Sequence, residues 1–457
     1  MKLSISGSSL LVGTIVLLAG CNKKTDQFDH DWTLPIKITD SVDSLAGGVR
    51  LYRCLHTPVA LQSLKDESLG CFIMERNAGN SNSWMEVPVP GVPHGYSFPP
   101  TLEQASGRML FTQGLTDMQK NYTGSDHFMV NALFVRMTES GEVQVEAKRK
   151  WTEDKKTLFR DADQNVQLNY PCIGVGVIND SDVYLPYSIM GQTVTHRGKS
   201  ILTEDGSSDT GVFHSTDSGV TWQMEQIADF QAYDPSVCKT KNFYYFFTPR
   251  GVTLGYELWF SRKPTGGASW DTPKSVTKTF AKELGNYTAV ADGDTVHMCW
   301  MDHRHNKWRF DLSGPAIEND DIYYSHRKDS DSRWSKDIVL SKGVLYCYAP
   351  SMSVEGDKIV VAWAGIPNAG KYHTDYDPND IFYVTSKDGG NTWAKPLKVT
   401  DGAKDGMTAG HPQVMLLNGV IHLFYIQGKM NLQQVGGLTK LNQPPWPIYY
   451  TQRPFPD

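Results

Sequence analysis

Two octapeptides, Ser215-Thr-Asp-Ser-Gly-Val-Thr-Trp222 and Ser386-Lys-Asp-Gly-Gly-Asn-Thr-Trp393, carry one pattern, S-x-D-x-G-x-T-W, and a repeat of this kind restricts the fold more than any other feature of the chain. The pattern is that of a turn. An aspartate accepts hydrogen bonds from backbone amides, a glycine takes up positive φ, and a tryptophan packs beneath. Weaker copies run from Ser261 to Trp270 and from Ser325 to Trp334, and a decayed one ends at Trp84. Such a motif organises a hairpin and supplies no reactive group.

The flanks repeat as well. A strand such as Asp321-Ile-Tyr-Tyr or Asp380-Ile-Phe-Tyr precedes the motif, and one such as Ala394-Lys-Pro-Leu-Lys-Val-Thr follows it. Upstream lie a Pro-Ser step, an alternating apolar strand, a turn and a second strand: Asp234-Pro-Ser-Val-Cys with 243–247, and Ala349-Pro-Ser-Met-Ser with 359–363. Four antiparallel strands per unit predict the blades of an all-β fold, a β-propeller. The template gives units over about 48–91, 97–151, 170–229, 233–277, 286–340, 347–400 and 410–453. Seven blades are favoured, with six as the alternative because the first unit is the least regular. The last unit stops at Ile448-Tyr-Tyr-Thr, one strand short. Trp32-Thr-Leu-Pro-Ile-Lys-Ile-Thr39 matches Trp393-Ala-Lys-Pro-Leu-Lys-Val-Thr400 and is expected to supply the missing strand, closing the last blade without an open edge.

Residues 1–20 read as a signal peptide: a lysine, a short apolar run, then small residues at Ala19 and Gly20. Leu18-Ala19-Gly20-Cys21 resembles the bacterial lipobox, which implies acylation of Cys21 and a membrane partner reached through the lipid anchor. Residues 21–31 are then the lipidated cysteine and a tether, and 32–457 the propeller. The location implied is the cell envelope, with the outer membrane favoured because Asn22, not aspartate, follows the cysteine. A formal net charge of −6 offers no basic face to a phosphate backbone, so nucleic acid is not an expected partner. Cys54, Cys71, Cys172, Cys238, Cys299 and Cys347 are widely spaced and contain no C-x-x-C pair, so packed thiols are expected rather than disulfides.

Strand order decides which loops share a face. The loop into strand one and the loop from strand two to strand three meet at one end of a propeller, and the octapeptide turns lie at the other. The first set brings Tyr170, Tyr233, Asp234, Tyr348 and His411 together with His196, Arg197, Arg250, Asp302, His303, Arg304, His305, Tyr372, His373 and Asp375 around the central mouth. Long loops on a rigid scaffold carry function, and Tyr372 and Tyr376 offer faces on which a sugar ring stacks.

The motif-bearing part, about 165–453, resembles the sialidase superfamily, in which the octapeptide is the Asp-box. The resemblance implies three arginines for a carboxylate, a tyrosine nucleophile paired with a glutamate, and an aspartate as acid/base. Carried over, Asp234, Arg250, Asp302, Arg304 and Tyr348 are the candidate catalytic residues, with His411, Tyr372 and His303 as ligand-binding ones. The match has gaps. Aspartate stands at 234 for glutamate, Asn169-Tyr170-Pro171-Cys172 replaces the arginine-isoleucine-proline step, and Tyr348 and His411 compete for the nucleophile's place. His303 and His305, two apart beside Asp302, have metal-ligand spacing, but Trp300-x-Asp302-x-Arg304 also reads as an aspartate–arginine pair across a loop; neither metal nor cofactor is expected. Three functions stay open: exo-sialidase-type hydrolysis of a glycan, glycan or protein binding without turnover, and a polysaccharide lyase working through His and Tyr.

Overall fold

Alternation of apolar and polar residues over short runs, punctuated by glycine turns, builds among the described residues only strands and the turns between them, apart from one turn of 3₁₀-helix at Ala403–Asp405. The computed structural model describes residues 29–39, the strands between 50 and 151, and 171–189, 193–196, 199–202, 210–230, 232, 234–252, 255–277, 287–302, 304, 320–367, 378–429, 431–435, 438–442 and 447–456. Cys21 lies outside these residues, as do Tyr170, Tyr233, Arg197, His303, His305, Tyr372, His373, Asp375 and Tyr376.

Six four-stranded sheets and one five-stranded sheet, all antiparallel, follow one another along the chain. We number them one to seven. Their first strands are Arg50–Cys54, Thr101–Glu103, Pro171–Ile173 continued by Val177–Asn179, Ser236–Lys239, Tyr287–Asp292, Val344–Glu355 and Met407–Leu417. Sheets one to five fall within the expected units, whereas sheet six begins at Val344, three residues early, and sheet seven runs from Met407 to Pro454 with Ile36–Thr39 added. Neighbouring first strands lie side by side, the first of sheet one between those of sheets seven and two. Between sheets three and four the contact is a parallel bridge, with Val237 N–H donating to the Val175 carbonyl at 2.8 Å. Between sheets six and seven it runs through serines: Ser351 and Ser353 hydroxyls accept from the amides of Val414 and Leu416 at 3.0 and 2.9 Å.

The core sits between sheets. One apolar cluster joins sheets five and six around Tyr324, Val361, Trp363 and Phe382, and another joins six and seven around Ala362, Tyr383, Leu416 and Leu423. The octapeptides tie these layers. In 386–393, Asp388 accepts from the Thr392 amide at 2.9 Å and from its hydroxyl at 2.6 Å, and these bonds hold its carboxyl at about 2. Gly390 sits at φ 90°, where a Cβ would meet the Tyr324 hydroxyl of sheet five. Trp393 then packs edge-on against Tyr324, 4.8 Å between centroids. The weaker copies do the same, Trp334 packing on Phe247 and Phe260 of sheet four and Trp270 on Tyr184 and Phe246. The repeated tryptophan therefore fastens one sheet to the one before it.

The terminal strands pair as the sequence suggested. Ile36–Thr39 lies antiparallel to Ile448–Pro454 as the outermost strand of sheet seven, with Ile36 opposite Tyr450. Packing begins upstream of that strand. The buried Asp29 carboxylate accepts from the Tyr383 hydroxyl and pairs with Arg453, whose second nitrogen reaches Asp31 at 3.2 Å. Asp29 N–H donates to the Lys398 carbonyl at 2.9 Å, and Trp32 meets Tyr383 edge-on at 5.2 Å. The chain is thus part of the fold from residue 29, three residues earlier than the boundary read from the sequence. Of the six cysteines, Cys238, Cys299 and Cys347 are free thiols within the described residues.

Two buried histidines recur in equivalent places: His297 and His422 each bond a tyrosine hydroxyl, Tyr324 and Tyr450, at 2.8 Å. Burial pushes both rings down to about 4, with His326 adding to the effect at His297. An unfolded histidine takes its proton near pH 6.5, so between pH about 6.5 and 4 the unfolded chain binds more protons than the folded one. Stability is therefore fully present above pH 6.5 and falls as the pH drops toward 4, by up to about 3 kcal/mol per histidine. Urea melts from pH 7 to 4 on the wild type and on His297→Gln/His422→Gln test this; equal slopes with pH would contradict it.

Candidate functional site

The end of the sheets where first strands begin and second strands end carries most of the described candidates. Ser236 pairs with Phe247, so Asp234 before one strand and Arg250 near the end of the other share this mouth. Asp302 ends the second strand of sheet five. Tyr348 and His411 lie at bulges near the starts of the first strands of sheets six and seven. Two extra hairpins, Thr193–His196 with Lys199–Leu202 and Asn431–Val435 with Leu438–Asn442, are inserted between second and third strands and so extend the same end. The first of them holds His196.

Backbone strain marks the same end. Among the described residues seven non-glycine residues have positive φ, and three of them, Asp180, Ser218 and Asn418, occupy turns at the far end. The other four, Asp234 at 35°, Tyr346 at 50°, Ala349 at 52° and His411 at 49°, all precede or interrupt a first strand at the mouth. Each costs of order 1–3 kcal/mol and persists only where the surroundings hold it. At Asp234 the holder is visible: the Tyr287 hydroxyl of sheet five donates to the Asp234 carbonyl at 2.8 Å and lies 2.9 Å from the Ser236 hydroxyl.

The two arginines differ sharply. Arg304 is engaged through both terminal nitrogens: its guanidinium pairs with Asp302 and Asp337, both at 2.7 Å, and stacks 4.0 Å from the Tyr323 ring. Asp337 precedes the outermost strand of sheet five, so this cation is drawn outward, away from the first strands. Asp302, 1% exposed, also accepts from Trp300 at 3.2 Å. This is the aspartate–arginine pair across a loop. Arg250 is held instead by aromatic faces, 5.0 Å from the Phe230 centroid and 4.9 Å from that of Trp259, and among the described residues it forms no ion pair, with Asp234 or any other acid. Among the described residues nothing hydrogen-bonds its fork of donors.

Tyr348 and His411 come together across sheets six and seven, ring centroids 6.1 Å apart at 76°. Burial pushes the Tyr348 phenol up to about 12, partly offset by a hydrogen bond from Asn379 Nδ2 at 3.4 Å. Asn379 is itself fixed by its backbone, which donates to the Thr408 hydroxyl at 3.1 Å and accepts from Ala409 N–H at 2.8 Å. Its Oδ1 is buried and has no partner among the described residues. Gly410 admits the phenol, since a Cβ there would lie 2.8 Å from the Tyr348 hydroxyl. No carboxylate among the described residues bonds the Tyr348 hydroxyl, in contrast to the tyrosine–glutamate pair that the resemblance implied.

Asn379 and Tyr287 were not singled out in the sequence. Asn379 carried a signal all the same, since it stands immediately before the repeated Asp-Ile-aromatic strand, at the mouth end. The far end holds a groove lined by Gln223, Glu225, Trp270 and Asp271. There burial works against the Glu225 charge, but hydrogen bonds from His214, Lys263 and Trp270 hold its carboxyl at about 2, so it is a satisfied structural ion. No group of three or more metal-ligating side chains occurs among the described residues.

No protein family and no curated protein matches the chain by sequence. Solved structures do match. Polysaccharide lyase Uly1 is similar over 93% of this chain and 100% of its own, with 11% identity and a TM-score of 0.50. Trypanosoma rangeli sialidase in complex with sialic acid matches 93% of this chain and 57% of its own at 8% identity and TM-score 0.42, and a thermostable family-43 glycoside hydrolase matches 60% and 94% at 12% and 0.30. At such identities the likeness is one of fold. The chain has an all-β architecture of successive four-stranded antiparallel sheets, shared along nearly its whole length with a polysaccharide lyase.

Proposed function

We propose that this chain is a seven-bladed propeller, closed by its N-terminal strand and anchored through acylated Cys21, that cleaves an acidic polysaccharide at its mouth by β-elimination. The observation that carries the reading is the Tyr348–His411–Asn379 arrangement: a phenol beside an imidazole and an amide, with no acid among the described residues hydrogen-bonded to it. A uronate suits it. Arg250 binds the carboxylate through its open fork and draws off charge as the adjacent carbon loses its proton to His411. The C–H electrons form a carbon–carbon double bond, the bond to the leaving sugar oxygen breaks, and that oxygen takes the Tyr348 proton. With its phenol held near 12, Tyr348 keeps this proton at neutral pH and enters as donor rather than base. Asn379 Nδ2 donates to the Tyr348 hydroxyl and so positions the phenol. The fold likeness to a polysaccharide lyase agrees with this reading without assigning any residue.

Arg250→Ala tests the anion-binding role. Affinity for uronate-containing oligosaccharides, measured by calorimetry, is expected to fall at least about tenfold, the worth of one charge-assisted contact, with the melting temperature nearly unchanged. Unaltered binding together with a large loss of stability would make Arg250 a structural residue and remove the site from this part of the mouth.

A further inference from the structure

The direction in which the N-terminal strand runs has a consequence for the whole molecule. Ile36 pairs with Tyr450 and Thr39 with Ile448, so the strand runs from the octapeptide end toward the mouth. Upstream, Thr33 N–H donates to the Gln452 carbonyl at 2.9 Å, and Asp29 is clamped by Arg453 and Tyr383. Arg453 lies opposite Ile421, which pairs with Leu416 near the strand-one-to-two turn, at the end away from the mouth. The chain therefore leaves the fold at the octapeptide face, beneath sheets six and seven. Tyr348 and His411 sit on those same two sheets at the other end.

We infer that the octapeptide face is the membrane-facing surface and that the mouth is held pointing away from the bilayer, open to large soluble polymers and closed to lipid-linked ones. This rests on the proposed acylation of Cys21. Eight residue steps separate Cys21 from Asp29. Fully extended they reach about 27 Å, and a relaxed flexible chain of that length spans about 16 Å. The first strand of sheet seven, Met407–Leu417, crosses the molecule from mouth to turn, a rise of about 33 Å. A tether shorter than the molecule is tall cannot lay the opposite end flat on the lipid. The Asp29–Arg453 clamp is what makes it short: released, the chain from 29 to 39 would add its own length to the reach.

The test uses the full-length acylated protein in vesicles containing acceptor-labelled phosphatidylethanolamine. A donor dye is coupled to an azide-bearing residue placed at exposed Lys387, in the octapeptide of sheet six, or at exposed Lys429, at the mouth end of sheet seven. Energy transfer from position 387 is expected to exceed that from 429 by about twofold or more, because the positions differ in height by about one strand length. A flexible glycine–serine insert of twelve residues or so after Asn22 leaves the fold untouched and is expected to bring the two signals closer together. Equal transfer without the insert, or more from 429, in protein that carries the acyl chain would overturn the orientation. Protein that carries no acyl chain and stays off vesicles would instead overturn the anchor on which it rests.

Discussion

Arg453→Ala should lower the free energy of unfolding by about 3–5 kcal/mol, because it leaves the Asp29 carboxylate buried without its cation. Both side chains of the pair are only 7% exposed, so solvent cannot replace the lost partner. The loss spreads beyond the pair. Asp29 also bonds Tyr383, and Tyr383 carries Trp32, so the N-terminal segment loses its fixed point at the start of the strand that completes sheet seven. The third strand of that sheet, Ile448–Pro454, is then left with an unpaired edge. Urea unfolding at pH 7 measures the effect. Deleting 22–28 should leave stability unchanged, whereas deleting 22–39 should cost at least as much as Arg453→Ala. Equal midpoints for wild type, Arg453→Ala and the longer deletion would show that the terminal strand is an ornament on a sheet stable without it.

Tyr348→Phe is expected to reduce kcat on a uronate polysaccharide by about 10²–10⁴, the usual worth of one general acid, and to leave the fold intact. Removing the hydroxyl forfeits only the long hydrogen bond from Asn379, worth about 1 kcal/mol, while the ring remains packed against sheets six and seven. His411→Ala should fall into the same range through loss of the base. If the two act on one step, the double variant should be scarcely slower than either single one, since groups that act as a unit are not additive. A Tyr348→Phe protein retaining most of its turnover would move the chemistry elsewhere on the mouth.

The strands were legible because their cause is local. The octapeptides, the Pro-Ser steps and the alternating runs each fix a turn or a strand over a few residues, and the match of 32–39 to 393–400 placed the N-terminal strand correctly against Ile448–Pro454. The beginning of the packed chain has no such local cause. Asp26, Asp29, His30 and Asp31 read as solvated tether, and only the approach of Arg453 and Tyr383, more than 350 residues away, makes Asp29 a buried residue. The mouth was legible as a face, since strand order alone decides which loops meet there. Partners within it were not. Arg250 and Arg304 look alike in the sequence, yet Asp337, 33 positions downstream, claims one, while Phe230 and Trp259 present the other. The position of Asn379 before the repeated Asp-Ile-aromatic strand marks it as a residue of the mouth, but its partner Tyr348 lies 31 positions upstream and has no local signature.

Elimination and hydrolysis leave different products. Purified protein lacking residues 1–21 should act on a panel of uronate polysaccharides and raise the ultraviolet absorbance of a conjugated, unsaturated sugar at the new non-reducing end, in step with new reducing ends, and Tyr348→Phe should abolish both signals. New reducing ends without unsaturation, or sugar released from fluorogenic sialosides instead, would show hydrolysis of the sialidase type and contradict elimination. Binding without either signal across the panel would contradict catalysis at this mouth altogether.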